Sequence, residues 1–350
     1  MEEVTEDTYL GDIISSDGKN TKNIESRISK GIGKITEIIH LLEMISLGEH
    51  YMEIAILFRE TIFLNGILTN AEIWYSFTEA EIKEFENLDK KLLRKILQVP
   101  ISTPQEALYL ELGILPIGVI VKARRINYLH YLVHRNKSEM LYSFFITQWN
   151  NPSRGDWTET VKADLADFNI PCNFEFLRSK SQEAFKRLVK VKSREFALNQ
   201  LTHMQRSHSK IDDHYYQELA PQKYISLESA RIDQIRNIFR FRTKMARFGE
   251  NYKSNNDQVQ APCPLCFNHL DSQSLSFQCE FFKDKLQISC NMNDLNKDDI
   301  SLDTAITITK MMELREKHIE EKKNKATRPM CTGLQPLGCN TGAVRKITVH

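Results

Sequence analysis

Apolar residues recur at helical spacing over most of this chain. Ile24, Ile28, Ile32, Ile35, Ile39 and Leu42 stand three or four positions apart, which predicts an amphipathic helix from about Asn20. Gly31 and Gly33 inside it either weaken the helix or let a neighbour approach closely. From about Gly48 to Thr69 the pattern changes. Ile54, Ile56, Leu57, Phe58, Ile62, Phe63, Leu64, Ile67 and Leu68 make that segment apolar on most sides, so it is predicted as the buried centre of a bundle. Ahead of both, Thr8 to Ile14 has strand character and ends on the turn signal Ser15-Ser16-Asp17-Gly18.

Helix boundaries carry their own signals. Thr78 with Glu81 forms a capping box, opening a helix that places Ile82, Phe85, Leu88, Leu92 and Ile96 on one face. Thr103 with Glu106 reads as a second box, with Pro104 at the first helical position and Gly113 at the end. Pro116 leads into a third helix, Ile117 to His134. The polar run from Trp149 to Trp157 is a loop and the best candidate boundary. Beyond it, helices are predicted at about Trp157 to Phe168, Ser179 to Gln205, Ser226 to Phe248 and Ser301 to Lys325. The tail, with Gly333, Pro336, Gly338 and Gly342 and no apolar period, is predicted to be disordered.

The fold class is therefore mainly α: a helical bundle with a short N-terminal β element and a small Cys-rich knuckle near the C-terminus. The segments read as a strand and turn (1–20), a helical domain (21–148), a basic helical region (157–255), the knuckle (256–290), a charged C-terminal helix (291–328) and the tail (329–350).

With 350 residues the chain can build two or three ordinary cores without help from disulfides or metals. Its seven cysteines are odd in number and unevenly spaced, and the acidic start (Glu2, Glu3, Glu6, Asp7) cannot serve as a signal-peptide n-region. No apolar run approaches a membrane span. These features predict a soluble protein of a reducing compartment, nucleus or cytoplasm, with no membrane partner.

Net charge is only +1, but its distribution is uneven. From Lys180 to Lys210 there are eight Lys or Arg against Glu183 and Glu195, and from Arg231 to Lys253 seven against Asp233 and Glu250. Both runs have helical spacing and read most simply as solvated helix faces. Lys122 to Lys137 holds five cations and no acid, interleaved with Tyr128, His130, Tyr131 and His134. Such a stretch could lie along a phosphate backbone with aromatic rings stacked on bases. The plainer alternative is a helix whose rings are core and whose cations snorkel. His203 and His208 near Asp212 lack a motif-placed nucleophile and read as surface residues.

Cys263 and Cys266 stand two residues apart around Pro264, and Cys279 follows a polar loop. Two thiolates at that spacing reach one ion from a tight turn, and tetrahedral zinc wants four soft or imidazole ligands. His269 is the nearest imidazole, Asp271 a harder alternative and Cys290 a more distant thiol. The competing reading is three reduced cysteines clustered with Phe267, Leu270 and Phe277.

Three landmarks in order carry a resemblance. They are Tyr9-Leu10-Gly11 with Asp17-Gly18; then Leu93-Arg94-Lys95-Ile96-Leu97, the run Thr103 to Gly113 and Leu115-Pro116-Ile117; then Cys263-Pro264-Leu265-Cys266 with Asp271-Ser272-Gln273. Over about residues 8 to 282 the chain resembles the C-terminal half of reverse transcriptases of non-LTR (LINE-type) retrotransposons. The resemblance implies a closing palm strand, a helical thumb and a Cys-Cys-His-Cys knuckle. The histidine of that pattern falls where this chain has Leu275, so zinc would need His269 beside Cys263, Cys266 and Cys279. The family's catalytic aspartates lie upstream of the Tyr-Leu-Gly strand. Asp212-Asp213 and Asp298-Asp299 read as turn and cap residues. The implied role is RNA or DNA binding without polymerase activity, with Lys122, Arg124, Arg125, Lys186, Arg187, Lys190, Arg236, Arg240 and Arg242 as phosphate-contacting candidates chosen on charge placement. Two alternatives stay open: a non-catalytic relic or protein-interaction module, and a subunit completed by another chain that supplies fingers and palm.

Overall fold

The computed structural model describes residues 5–9, 11–16, 20–45, 50–74, 78–206, 216–252, 262–286, 288, 290, 292–295 and 300–326. The predicted turn residues Asp17 and Gly18, His208, the Asp212-Asp213 and Asp298-Asp299 pairs, and the tail lie outside them. Among the described residues the fold is mainly helical, with one two-stranded antiparallel sheet at the N-terminus.

That sheet differs from the single strand the sequence predicts. β1 (Glu6–Tyr9) pairs antiparallel with β2 (Asp12–Ser15), Tyr9 opposite Asp12 and Glu6 opposite Ser15. The run from Thr8 to Ile14 is broken at Gly11, whose φ of +86° is available to glycine at no steric cost and lets the chain reverse. Asp12 then accepts hydrogen bonds from Arg27 (2.8 Å) and Asn23 (3.0 Å), which fasten the hairpin to α1 (Thr21–Met44), and from Asn70 further along the chain.

α1 buries Ile24, Ile35, Ile38 and Leu42, the face its spacing predicts, while Ile32 is half exposed. Gly31 is where its neighbours come close: a Cβ there would lie 2.9 Å from Leu88 and 3.1 Å from Ile67. The apolar segment that follows is helical but irregular. α2 (Tyr51–Phe58) passes through a π-helical stretch, Arg59–Leu64, into α3 (Asn65–Ile67). At the start of that stretch Arg59, 1 % exposed, donates to Asp89 of α4 (Glu79–Leu97) at 2.7 and 2.6 Å and to the Leu115 carbonyl at 2.9 Å. Tyr109 donates to the same carboxylate at 3.1 Å, and its own hydroxyl proton is held well above the ordinary tyrosine range by burial first and by Asp89 second. A charge pair at this depth is tolerable because every strong acceptor of Asp89 is met.

The Thr78–Glu81 capping box forms as predicted. The second box does not. Pro104 is the cap of α5 (Gln105–Leu112) rather than its first helical residue, and the Thr103 hydroxyl instead donates to the Pro100 carbonyl at 2.7 Å, a local turn bond that competes with capping. Gly113 ends α5 at φ +61°, and a Cβ there would lie 2.0 Å from the Ala220 and Pro221 backbone. α6 (Ile117–Val133) follows, then α7 (Met140–Asn150), α8 (Trp157–Asp167, capped by Asp156), α9 (Phe174–Arg178) and α10 (Gln182–Arg206). α10 packs along α6 and α5. The helix predicted from Ser226 to Phe248 is shorter: α11 spans Ile232–Arg242, after a 3-10 turn at Lys223–Ser226, because Ser229 (φ 61°) and Lys244 (φ 54°) adopt left-handed backbone on either side. Short helices α12 (Gln273–Ser276), α13 (Glu280–Lys285) and α14 (Met292–Leu295) lead to α15 (Leu302–Ala326), which packs against α11. Among the described residues no helix is long and apolar enough to cross a membrane.

Candidate metal centre

The turn carrying the first two cysteines is built by backbone. Pro262 bridges Leu270, the Cys263 N–H donates to the His269 carbonyl at 2.7 Å, and the Phe267 N–H returns to the Cys263 carbonyl at 3.0 Å. Phe267 closes the turn in left-handed conformation, φ 59°. The third cysteine arrives on a separate support. Ser272 caps α12, accepting from the Leu275 N–H at 3.2 Å, and α12 delivers Cys279 to the start of α13, where the Phe282 and Lys283 N–H groups donate to its carbonyl at 3.0 Å.

These supports bring the Sγ atoms of Cys263, Cys266 and Cys279 within 4.8 Å of one another. Three sulfurs each about 2.3 Å from one tetrahedral ion sit about 3.8 Å apart, so a small inward movement of thiols closes the triangle. Cys263 and Cys279 are buried and Cys266 is half-buried, leaving one side open. Burial is the largest influence on the thiols of Cys266 and Cys279. It pushes Cys279 up to about 12, whereas at Cys266 the backbone N–H groups of Asn268 and His269 and the neighbouring thiols together bring the proton affinity below the ordinary value.

The fourth position separates the sequence candidates. His269 has Nε2 3.5 Å and Nδ1 3.8 Å from the Cys266 sulfur, so its ring stands beside the triangle without entering it. Asp271 is engaged elsewhere: its Oδ2 accepts from the Gly249 N–H and from Arg315, each at 2.7 Å. Cys290 is buried but outside the cluster, its thiol raised by burial. Leu275 lies within α12 with its N–H on the Ser272 cap.

No family model, no curated protein and no solved structure matches this chain. What the centre can do rests on its own chemistry. Three thiols in a turn-plus-helix-start geometry, with an imidazole at the rim, are a donor set for a soft divalent ion such as zinc.

The phosphate-contact candidates fall into two groups. Arg125 is buried and donates to Asp164 at 2.7 and 3.2 Å; Lys122 pairs with Asp164 (3.3 Å) and Asp167 (2.5 Å); Arg124 donates to the Leu68 carbonyl at 2.5 Å. Arg236 donates to the Ile96 carbonyl at 2.7 Å and covers the Tyr51 ring at 5.3 Å. Arg240 donates to the Gln98 carbonyl at 2.8 Å. Arg242 is buried against Glu111 (3.0 Å) and the Leu295 carbonyl (2.6 Å), and Glu111 also accepts from Tyr216 and Tyr224 at 2.5 and 2.6 Å. Each of these six cations therefore serves the interior or a neighbouring carbonyl. Lys186, Arg187 and Lys190 are the exposed members, side by side on the outer face of α10. Charge counting along the sequence could not separate the two groups, because the acids that pair with α6 come from α8. It also passed over Arg315 and Lys322, whose contacts with the cysteine turn are tertiary.

Proposed function

We propose that the protein is a metal-stapled helical module that binds RNA or DNA, the thumb and Cys-rich part of a chain of the non-LTR reverse transcriptase type, holding nucleic acid rather than polymerising it. The observation that carries this reading is the convergence of Cys263, Cys266 and Cys279. Zinc would take those three thiolates, with His269 turning by its side-chain torsions into the fourth place. Lys186, Arg187 and Lys190 offer an exposed cationic strip to phosphates.

The test is a titration with a labelled structured RNA and a matched DNA duplex at low and near-physiological salt. On this reading log affinity falls with log salt by about 0.7 to 0.9 per phosphate contacted, and Lys186→Glu, Arg187→Glu and Lys190→Glu together flatten that slope. Absence of binding even at low salt removes the nucleic-acid role.

A second reading, a protein-interaction module without nucleic-acid function, is favoured by the six candidate cations that are engaged within the fold and by the outward Met140 and Phe144 of α7. Under it the same titration gives no binding while the metal centre persists.

A further inference from the structure

The turn after α4 has an unusual exterior. Gln98 ends α4 in left-handed backbone (φ 51°), and three guanidiniums hold the chain there: Arg236 on the Ile96 carbonyl (2.7 Å), Arg240 on the Gln98 carbonyl (2.8 Å) and Arg94 on the Thr103 carbonyl (2.7 Å). The turn is thus clamped to α11 and to itself. On this rigid mount Ile101 stands 86 % exposed, the most exposed large apolar side chain among the described residues.

Two cavities flank the turn and share Gln98 and Val99. One, of about 740 Å³, lies against the α4 face that carries Lys91 and Lys95; the other, of about 840 Å³, is walled by Met245 and Met312 and edged by Arg247. Lys91, Lys95 and Arg247 are exposed and make no ion pair or hydrogen bond through their side chains among the described residues. Glu316 is the one carboxylate of the two linings. Both volumes are those of pockets that take a side chain or small ligand.

We infer that the Gln98–Ile101 turn is a docking site for an acidic peptide segment that carries an apolar side chain. The cations supply charge complementarity to the acids, and an apolar side chain of the partner covers Ile101 or enters the methionine-walled cavity, whose flexible thioethers adapt to its shape. A peptide fits better than a nucleic-acid strand, since among the described residues no aromatic ring lines either cavity to stack a base.

Fluorescence anisotropy of the full chain with a labelled dodecapeptide of Glu, Asp, Leu and Phe tests this, with the same peptide bearing Lys for each acid and a labelled oligo-dT as comparators. The acidic peptide is expected to bind and the basic one not. Lys91→Glu with Lys95→Glu should lower its affinity by about tenfold or more, and Ile101→Ser should lower it independently. The proposal is overturned if the acidic peptide binds no better than the basic one or is indifferent to both sets of substitutions. It is equally overturned if oligo-dT is the ligand those substitutions displace. Circular dichroism of the variants, all at exposed positions, checks that the fold persists, and Lys91→Gln with Lys95→Gln gives a milder second measure of the same loss.

Discussion

Arg315 of α15 and Asp271 of the cysteine loop meet at 2.7 Å with both side chains largely removed from solvent. The same guanidinium donates to the Arg247 carbonyl at 2.9 Å and lies 4.5 Å from the centre of the Phe248 ring. Further along α15, Lys322 donates to the Pro264 carbonyl inside the Cys-x-x-Cys turn at 2.5 Å and sits 4.2 Å from the Phe267 ring centre. The last helix therefore grips the cysteine loop at two points, one of them between the two cysteines.

Metal loading and helix docking are consequently expected to be linked, and linkage is reciprocal. Arg315→Ala should weaken metal affinity by about 5- to 150-fold, the range of ordinary coupling energies. A chelator should make α15 more susceptible to limited proteolysis. Unchanged protection with and without chelator would show that the two are independent.

Arg59 and Asp89 form the deepest ion pair among the described residues. Asp89→Ala leaves a buried guanidinium with the Leu115 carbonyl as its remaining partner, and should cost roughly 3–5 kcal/mol in urea unfolding. Replacing both residues by apolar ones of similar volume should recover much of that loss.

Gly113 cannot accept a side chain. Its φ of +61° and the backbone of Ala220 and Pro221, 2.0 Å from any added Cβ, combine left-handed strain with overpacking. Gly113→Ala should therefore destabilise by roughly 2–6 kcal/mol, read as a fall in the denaturation midpoint.

Glu86 gives a pH-dependent term. Burial first, and Asp89 to a lesser degree, raise its carboxyl above the ordinary value against the Gly118 N–H and Lys90, which lower it. A raised folded pKa means the folded state binds the proton more tightly than the unfolded one. The contribution is thus full below the unfolded pKa and is lost as pH rises through the folded one. Glu86→Gln should stabilise the protein at neutral pH, with the gain disappearing in acid; a gain that grows in acid would contradict the assignment.

Much of the architecture was legible because helices advertise their faces and ends locally. The stripe of α1, the Thr78–Glu81 box and the stop at Gly113 are all short-range facts, and they appear in the structure. The readings that differ depend on competition or distance. Thr103 prefers the Pro100 carbonyl to a cap, Ser229 and Lys244 trim α11, and the π-helical stretch accompanies an arginine whose partner is thirty positions away. The three converging cysteines were readable from spacing, whereas nothing local ruled out Asp271 as the harder alternative to His269, because its partner stands on α15. Which cations face solvent was not readable at all, since their pairing is decided by the packing of α6, α8 and α11.

The most direct test of the account is cobalt(II) titration of the reduced chain, followed by absorption in the thiolate charge-transfer and d–d regions and by zinc competition. The account predicts a single tetrahedral, thiolate-rich site that zinc displaces. Cys279→Ser should lose more than about 100-fold in affinity, beyond the roughly 10–100-fold cost of removing a hydrogen bond to a ligand. Failure to bind cobalt, or binding unaffected by Cys279→Ser, would contradict it and leave the three cysteines as packed, reduced thiols.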